Sequence, residues 1–299
     1  MFYLIIAQIC FVLVGVFTKY IGSSIDTATL VFFRTFIAAL FLVSFAVATR
    51  KIKQLSISKR DIVPFLFIGC MFLLDFLLYI TAFQYTSITE VGFLGSVAPV
   101  FIYFMAGKIL KEKISINGVL ALAVALAGIY VMNYTGFESS HLFGNMLVIL
   151  SCVFFAGIIT YTGLEDRNHT ALDTVFWPMV FASAFLFSTM FNFNFAAIQF
   201  QTYLWVFLLG IVSTGMAYLF VAKSLKSIEA NKYSIYTTIA FPAISIIFGA
   251  GLFGEQLTAH MIVGGLFIML SAFIIHYENY QLLDIRLLNV INQKIKMIR

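Results

Sequence analysis

Four charged side chains fall inside or at the edge of long apolar runs: Lys19, Arg34, Asp75 and Glu90. At 1.5 Å per helical residue, Arg34 lies about 10 Å into its run and Asp75 about 13 Å into the next, counted from the same boundary. Glu90 is one turn into a fourth run, and Lys19 ends the first at that boundary. A lone charge in mid-hydrocarbon costs about 3 kcal/mol even on permissive scales, so these groups are expected to turn from lipid toward one another around a hydrated cavity. The chemistry this pattern suits is recognition of a small charged solute, with Arg34 in contact with Asp75 or Glu90. Burial could also let either carboxylate exchange a proton. Two blander readings stand beside it: a structural ion pair that only locks helices together, and a Lys19 that snorkels to the interface.

The rest of the chain must then supply membrane spans. Of 299 residues, 62% are hydrophobic and only 10% charged, too little polar surface for a soluble fold, where about a quarter of residues are charged. Apolar runs of about 20 residues, enough to cross about 30 Å of hydrocarbon, recur ten times: near 2–19, 28–48, 62–83, 87–107, 116–134, 143–163, 174–192, 203–222, 232–253 and 258–277. The runs are continuous rather than alternating, which predicts helices and not a barrel. With the N-terminus placed inside, every Lys and Arg except Lys19 and Arg34 falls on the cytoplasmic side, as the positive-inside rule requires. Both termini are therefore expected in the cytoplasm. The net charge of +5 reads as topological anchoring, not nucleic-acid binding. The tail, 279–299, mixes Leu and Ile with basic residues and reads as either a surface amphipathic helix or a frayed end.

Two segments repeat. Pro99, Glu112, Ile114-Ser115, an apolar run and Tyr134 recur 143 residues later as Pro242, Glu255, Leu257-Thr258, an apolar run and Tyr277. Lys108, Lys111 and Lys113 surround Glu112, whereas no Lys or Arg lies within twenty residues of Glu255. Duplicating five spans, an odd number, forces the second copy into the opposite orientation and explains that loss of charge. The expected architecture is all-α integral membrane: ten transmembrane helices as two inverted five-helix repeats, 1–140 and 141–278. Pro99 and Pro242 are expected to bend matched helices where transporters place gates or sites. Glu112 and Glu255 are expected to order loops at opposite faces.

The same shift takes Arg34 to Trp177, Asp75 to Tyr218 and Glu90 to Tyr233. A cavity between the halves would then have one charged wall and one aromatic wall, suited to a cation or zwitterion with an apolar body; packing is the commoner use of such aromatics. Other motifs yield little. Cys10, Cys70 and Cys152 each lie in a span without CxxC spacing, and the four histidines form no metal-ligand pattern. No metal, cofactor or catalytic residue is predicted. Gly249-Ala-Gly251-Leu-Phe-Gly254 matches GxGxxG without the strand and acidic residue a dinucleotide site needs, so close helix packing is expected.

Taken together, the paired Pro-x12-Glu segments, Gly254 before Glu255, Phe33-Arg34 and Ala82-Phe83-Gln84-Tyr85-Thr86-Ser87 resemble the drug/metabolite transporter superfamily, in its ten-helix EamA-type branch. Lys111 stands where that family usually has glycine before the first glutamate, and Val14-Gly15 where Trp-Gly is common. The resemblance spans about residues 1–280. It implies transport, often export, of amino acids or related metabolites, a path lined by spans one to four and six to nine, and peripheral spans five and ten. The function expected is an exporter or exchanger of a small polar or zwitterionic metabolite working by alternating access. The partners expected are that solute, the lipid bilayer of a bacterial inner membrane, protons if Asp75 or Glu90 exchanges them, and a second copy if the carrier is a homodimer. The alternatives are a membrane scaffold or, lacking any interfacial cluster of His and acids, an integral-membrane lipid-modifying enzyme.

Overall fold

Hydrocarbon offers no partner to a backbone amide, so a chain this apolar must satisfy its own N–H and C=O groups. It does so with helices. The computed structural model describes residues 2–110, 114–134, 139–165, 169–227, 230–275 and 277, and no strand occurs among them. Glu112 and the tail lie outside these residues. The helices are α1 (Phe2–Ile21), α2 (Thr27–Ala48), α3 (Ile62–Ala82), α4 (Ile88–Gly95), α5 (Ala98–Leu110), α6 (Ile116–Asn133), α7 (Ser139–Glu165), α8 (Asp173–Phe185), α9 (Phe200–Gly210), α10 (Ala217–Ser227), α11 (Ala230–Phe253) and α12 (Ala259–Ile275). Among the described residues, seven segments can cross a membrane by length and composition, and two shorter apolar helices are Thr237–Phe253 and Ala259–Ile275.

Side-chain contacts define two ends of the bundle. At one, Lys19 meets Glu255, Gln84 donates to Thr27 across 3.1 Å, and Tyr20 stacks on Trp205. At the other, Trp177 reaches the Leu55 carbonyl and His169 approaches Asp61. Here these are the Glu255 end and the Leu55 end. Helix α2 starts at the Glu255 end and α8 at the Leu55 end.

Three apolar segments depart from simple rods. The segment Ile88–Ile109 is interrupted at Ser96-Val97, so Pro99 sits in the first turn of α5 and not inside a bent helix. The cause is local: Pro99 lacks the N–H that would bond to the Gly95 carbonyl, and a proline is tolerated where that donor is unpaired anyway. Pro242, its match in the repeat, lies inside an unbroken α11. Within Phe200–Ser224, α9 and α10 are joined by a π-helical turn, Ile211–Met216. Helix α8 stops at Phe185 and the chain continues as two short 3-10 turns, Phe187–Asn192 and Phe195–Ala197. Phe193 and Phe195 there pack against Phe33.

Small residues bring the helices together. A Cβ on Gly92 of α4 would lie 2.3 Å from the Cβ of Ser245 on α11, and one on Gly128 of α6 would lie 2.7 Å from the Gly264 carbonyl of α12. Such close approaches favour association in lipid, where packing replaces the hydrophobic drive. Of the GxGxxG glycines, only Gly249 lies at such an approach. A Cβ on Gly251 meets nothing within 4 Å, and Gly254 turns the chain at φ +63°. Gly92→Ala is therefore expected to destabilise the purified protein by about 1–3 kcal/mol through overpacking. Gly251→Ala should leave the melting temperature unchanged or higher, and intrinsic-fluorescence melts of the two variants compare them directly.

Candidate functional site

Asp75 and Tyr79 stand one turn apart on the same face of α3, and that face opens onto a cavity of about 90 Å³. A cavity needs only about 10–15 Å³ of such space for one water, so this one has room for several waters or part of a solute. Its walls come from α1 (Gln8, Phe11), α2 (Arg34), α3, the α4–α5 break (Gly95, Ser96, Pro99), α7 (Cys152, Phe155), α10 (Tyr218) and α11 (Thr237, Thr238, Phe241). No residue of α6 or α12 lines it.

Arg34 is 1% exposed and Asp75 5%. Both line the cavity, yet the expected direct contact is not formed. Arg34 Nε donates instead to Thr214 Oγ1 at 2.8 Å, and the guanidinium carbon lies 3.7 Å from the centre of the Phe76 ring. Thr214 belongs to the π-helical turn and in turn donates to the Leu209 carbonyl, five residues back. The turn thus delivers a buried hydroxyl where a regular helix would point it elsewhere. Nη1 of Arg34 has no hydrogen-bond partner, and a guanidinium has five N–H groups to satisfy. Asp75 lines the same space and accepts no hydrogen bond among the described residues. Tyr218 packs edge-on against Phe72 at 4.7 Å and Phe11 at 5.1 Å.

The other predicted residues lie elsewhere. Glu90 does not reach Arg34: it closes a capping box with Ser87 at the start of α4, accepts from Thr86 Oγ1 at 2.5 Å, and has His141 Nδ1 3.6 Å away. The Ser87-x-x-Glu90 spacing is a readable signature of such a box. Trp177 is not on the cavity; its indole donates to the Leu55 carbonyl at 3.1 Å. The reason is direction. Arg34 and Trp177 hold matching places near the starts of α2 and α8, and those helices start at opposite ends. The shift keeps Asp75 and Tyr218 together because both lie in the interior of their apolar segments, Ile62–Ala82 and Phe200–Ser224, away from either end. Tyr233 is on α11, but its side chain lies outside the described ones. Tyr79, Gln8, Thr214 and Cys152 were not singled out from the sequence; only Tyr79, at i+4 from Asp75, left a signal there.

Glu255 anchors a second cluster at the Glu255 end. Its carboxylate accepts from Lys19 Nζ (2.9 Å), the amides of Ile88 (2.9 Å) and Thr89 (2.9 Å), and Thr89 Oγ1 (2.8 Å). Burial alone would raise its pKa, but the hydrogen bonds from Lys19, Thr89 and Ile88 outweigh that and hold it below the ordinary glutamate value. Among the described residues, no group of three His, Cys, Asp or Glu side chains could hold a metal ion.

The sequence matches the EamA-like transporter family over residues 1–134 and 142–277. The chain belongs to that family. An uncharacterized transporter of Archaeoglobus fulgidus is 24% identical over 87% of this chain and 90% of its own length. The Bacillus subtilis uncharacterized transporters YxxF and YoaV are 24% and 25% identical over 82% and 80% of this chain and 78% and 84% of their own. A solved crystal structure covering 91% of this chain and 95% of its own superposes with a TM-score of 0.66 at 15% identity, a likeness of fold. As an EamA-like protein the chain is a multi-pass membrane transporter.

Two outcomes follow for this EamA-like chain. Thr214→Val, which leaves Arg34 Nε without its acceptor, should lower stability by about 1–3 kcal/mol, and Thr214→Ser should restore most of it in thermal melts. A group whose pKa is depressed by folding stabilises fully above its unfolded value and loses that contribution as pH falls through the folded one. The wild type should therefore lose more melting temperature than Glu255→Gln between neutral pH and about pH 3, below the ordinary carboxylate range.

Proposed function

We propose that this chain is a secondary transporter of a small polar or zwitterionic metabolite, such as an amino acid or derivative, working by alternating access. The observation that carries this reading is the cavity between Arg34 and Asp75. A buried guanidinium and a buried carboxyl group line one space and make no direct pair. Each retains hydrogen-bonding capacity that a solute could use. A carboxylate would meet the Nη side of Arg34, and an ammonium group would meet Asp75. Phe11, Tyr218 and Phe241 offer the apolar and π surface for what lies between them.

The cavity draws walls from both halves of the chain, 1–140 and 141–278, which supports a site at the interface of two rocking five-helix units. The reversed starts of α2 and α8 and the pairing of Asp75 with Tyr218 under the 143-residue shift support the inverted, ten-span arrangement. The basic loops favour a cytoplasmic Leu55 end, with both termini on that side of the cell membrane. A proton on Asp75 would neutralise the acid when the solute leaves, and a pH gradient could then drive the cycle.

The test is a thermal-shift screen of purified protein against amino acids, nucleosides and S-adenosyl compounds. A ligand at 100 times its Kd should stabilise by about 2.7 kcal/mol, and Asp75→Asn or Arg34→Lys should abolish the shift and cut proteoliposome transport at least about tenfold, the equivalent of about 1.4 kcal/mol. A ligand whose shift and transport survive both substitutions would overturn the assignment of the cavity. Transport that ignores an imposed pH gradient would remove the proton step alone.

A further inference from the structure

We propose that Glu255, Lys19 and the amino terminus of α4 form a latch that closes the cavity at the Glu255 end, and that opening this face requires the Glu255 carboxylate to leave the helix end. The proposal rests on reading the cavity as the solute path. Three cavity-lining helices meet at this one side chain. Lys19 ends α1, Ile88 and Thr89 begin α4, and Glu255 follows α11. Below the latch the same three helices contribute Gln8 and Phe11, Gly95, and Thr238 and Phe241 to the cavity wall. Fastening them together at their ends therefore narrows the space beneath.

The chemistry is a carboxylate on a helix amino terminus. The first amides of α4 have no carbonyl within their own helix, and the helix dipole makes that end partly positive. Glu255 takes the two amides, the Thr89 hydroxyl and the Lys19 ammonium together, at 2.8–2.9 Å. The backbone is shaped for it. Gly254, at φ +63°, turns the chain back so that the Glu255 amide bonds to the Gly249 carbonyl at 3.1 Å. A Cβ on Gly249 would lie 2.3 Å from Glu255 Oε2 and 2.4 Å from Thr89 Oγ1, so only glycine leaves the carboxylate its seat.

Release is local. Glu90 and Ser87 cap α4 by a separate capping box, so the helix keeps a cap when Glu255 leaves and its first amides pass to water. Beside the latch, α1 meets α9 and α11 through aromatic contacts: Tyr20 on Trp205 at 4.8 Å and on Phe253 at 5.5 Å, with Lys19 5.3 Å from the Phe253 ring centre. Such non-directional contacts can slide, whereas the four hydrogen bonds on Glu255 must break together. One side chain thus carries the two-state element that alternating access requires at this face.

Native Cys152 lines the cavity and reports on the latch. In a Cys10→Ala, Cys70→Ala background, its labelling by a charged methanethiosulfonate reagent is followed in membrane vesicles of each orientation. Lys19→Met and Glu255→Gln should each speed labelling from the Glu255 face by roughly tenfold, the shift in opening that about 1.4 kcal/mol of lost latch would give. The exchanged pair, Lys19→Glu with Glu255→Lys, should stay fast, because an ammonium cannot accept from the amides of α4. Wild-type labelling rates in both single variants, with normal gel filtration and tryptophan fluorescence, would overturn the latch. A slow exchanged pair would overturn it too, as it would reveal a plain ion pair. Fast labelling of the single variants with a fast exchanged pair would uphold the latch even if Asp75→Asn and Arg34→Lys left transport intact, a result that would sink only the solute reading.

Discussion

In hydrocarbon a charge needs a partner, and how far each charge in this chain has found one organises the structure. Lys19 and Glu255 satisfy one another with the help of the α4 amides. Glu90 is spent on the capping box. Arg34 is partly satisfied, with Nε on Thr214 and one face on Phe76, while Nη1 is left over. Asp75 accepts nothing from the described residues. This series separates the charges satisfied within the fold from those proposed above to meet a solute. Desolvation gives it force: a buried, unsatisfied ionic group is costly enough that a folded protein keeps one chiefly where something else will meet it.

The helix that links the two clusters is also the shortest α-helix among the described residues. Helix α4 begins under Glu255 and ends eight residues later at the break before Pro99, where Gly95 and Ser96 face the cavity. Along its length it lies against α11, close enough at Gly92 to touch Ser245. One short rigid segment thus spans from the proposed latch to the proposed site. A shift of its amino terminus is transmitted to the cavity wall as a rigid-body movement, because packed interfaces change by discrete steps and do not deform continuously.

Much of this was legible in the residues. The charge deficit, apolar runs and paired Pro-x12-Glu segments were enough to point to an all-helical membrane transporter, and the family match agrees. The repeat shift also joined Asp75 to Tyr218. It failed for Arg34 and Trp177 because a sequence offset preserves a residue's place along its own helix but not the end from which that helix starts. Pro99 and Pro242 occupy matched positions, yet only one accompanies a break, since the residues around each decide whether the lost hydrogen bond interrupts the helix. Thr214 left no signal, because a π-helical turn is a departure from the very periodicity by which helices are read.

The sequence by itself determined that the chain must be helical, where its apolar segments lie, and that four charges would need company, since hydrophobicity and backbone satisfaction act locally and add along the chain. Only the tertiary structure decided which partner each charge received. Partner choice depends on helix direction, on glycines such as Gly92 and Gly249 that set how closely backbones approach, and on rotations of a third of a turn or less. Those quantities are fixed by packing between segments more than a hundred residues apart, as Lys19 and Glu255 are.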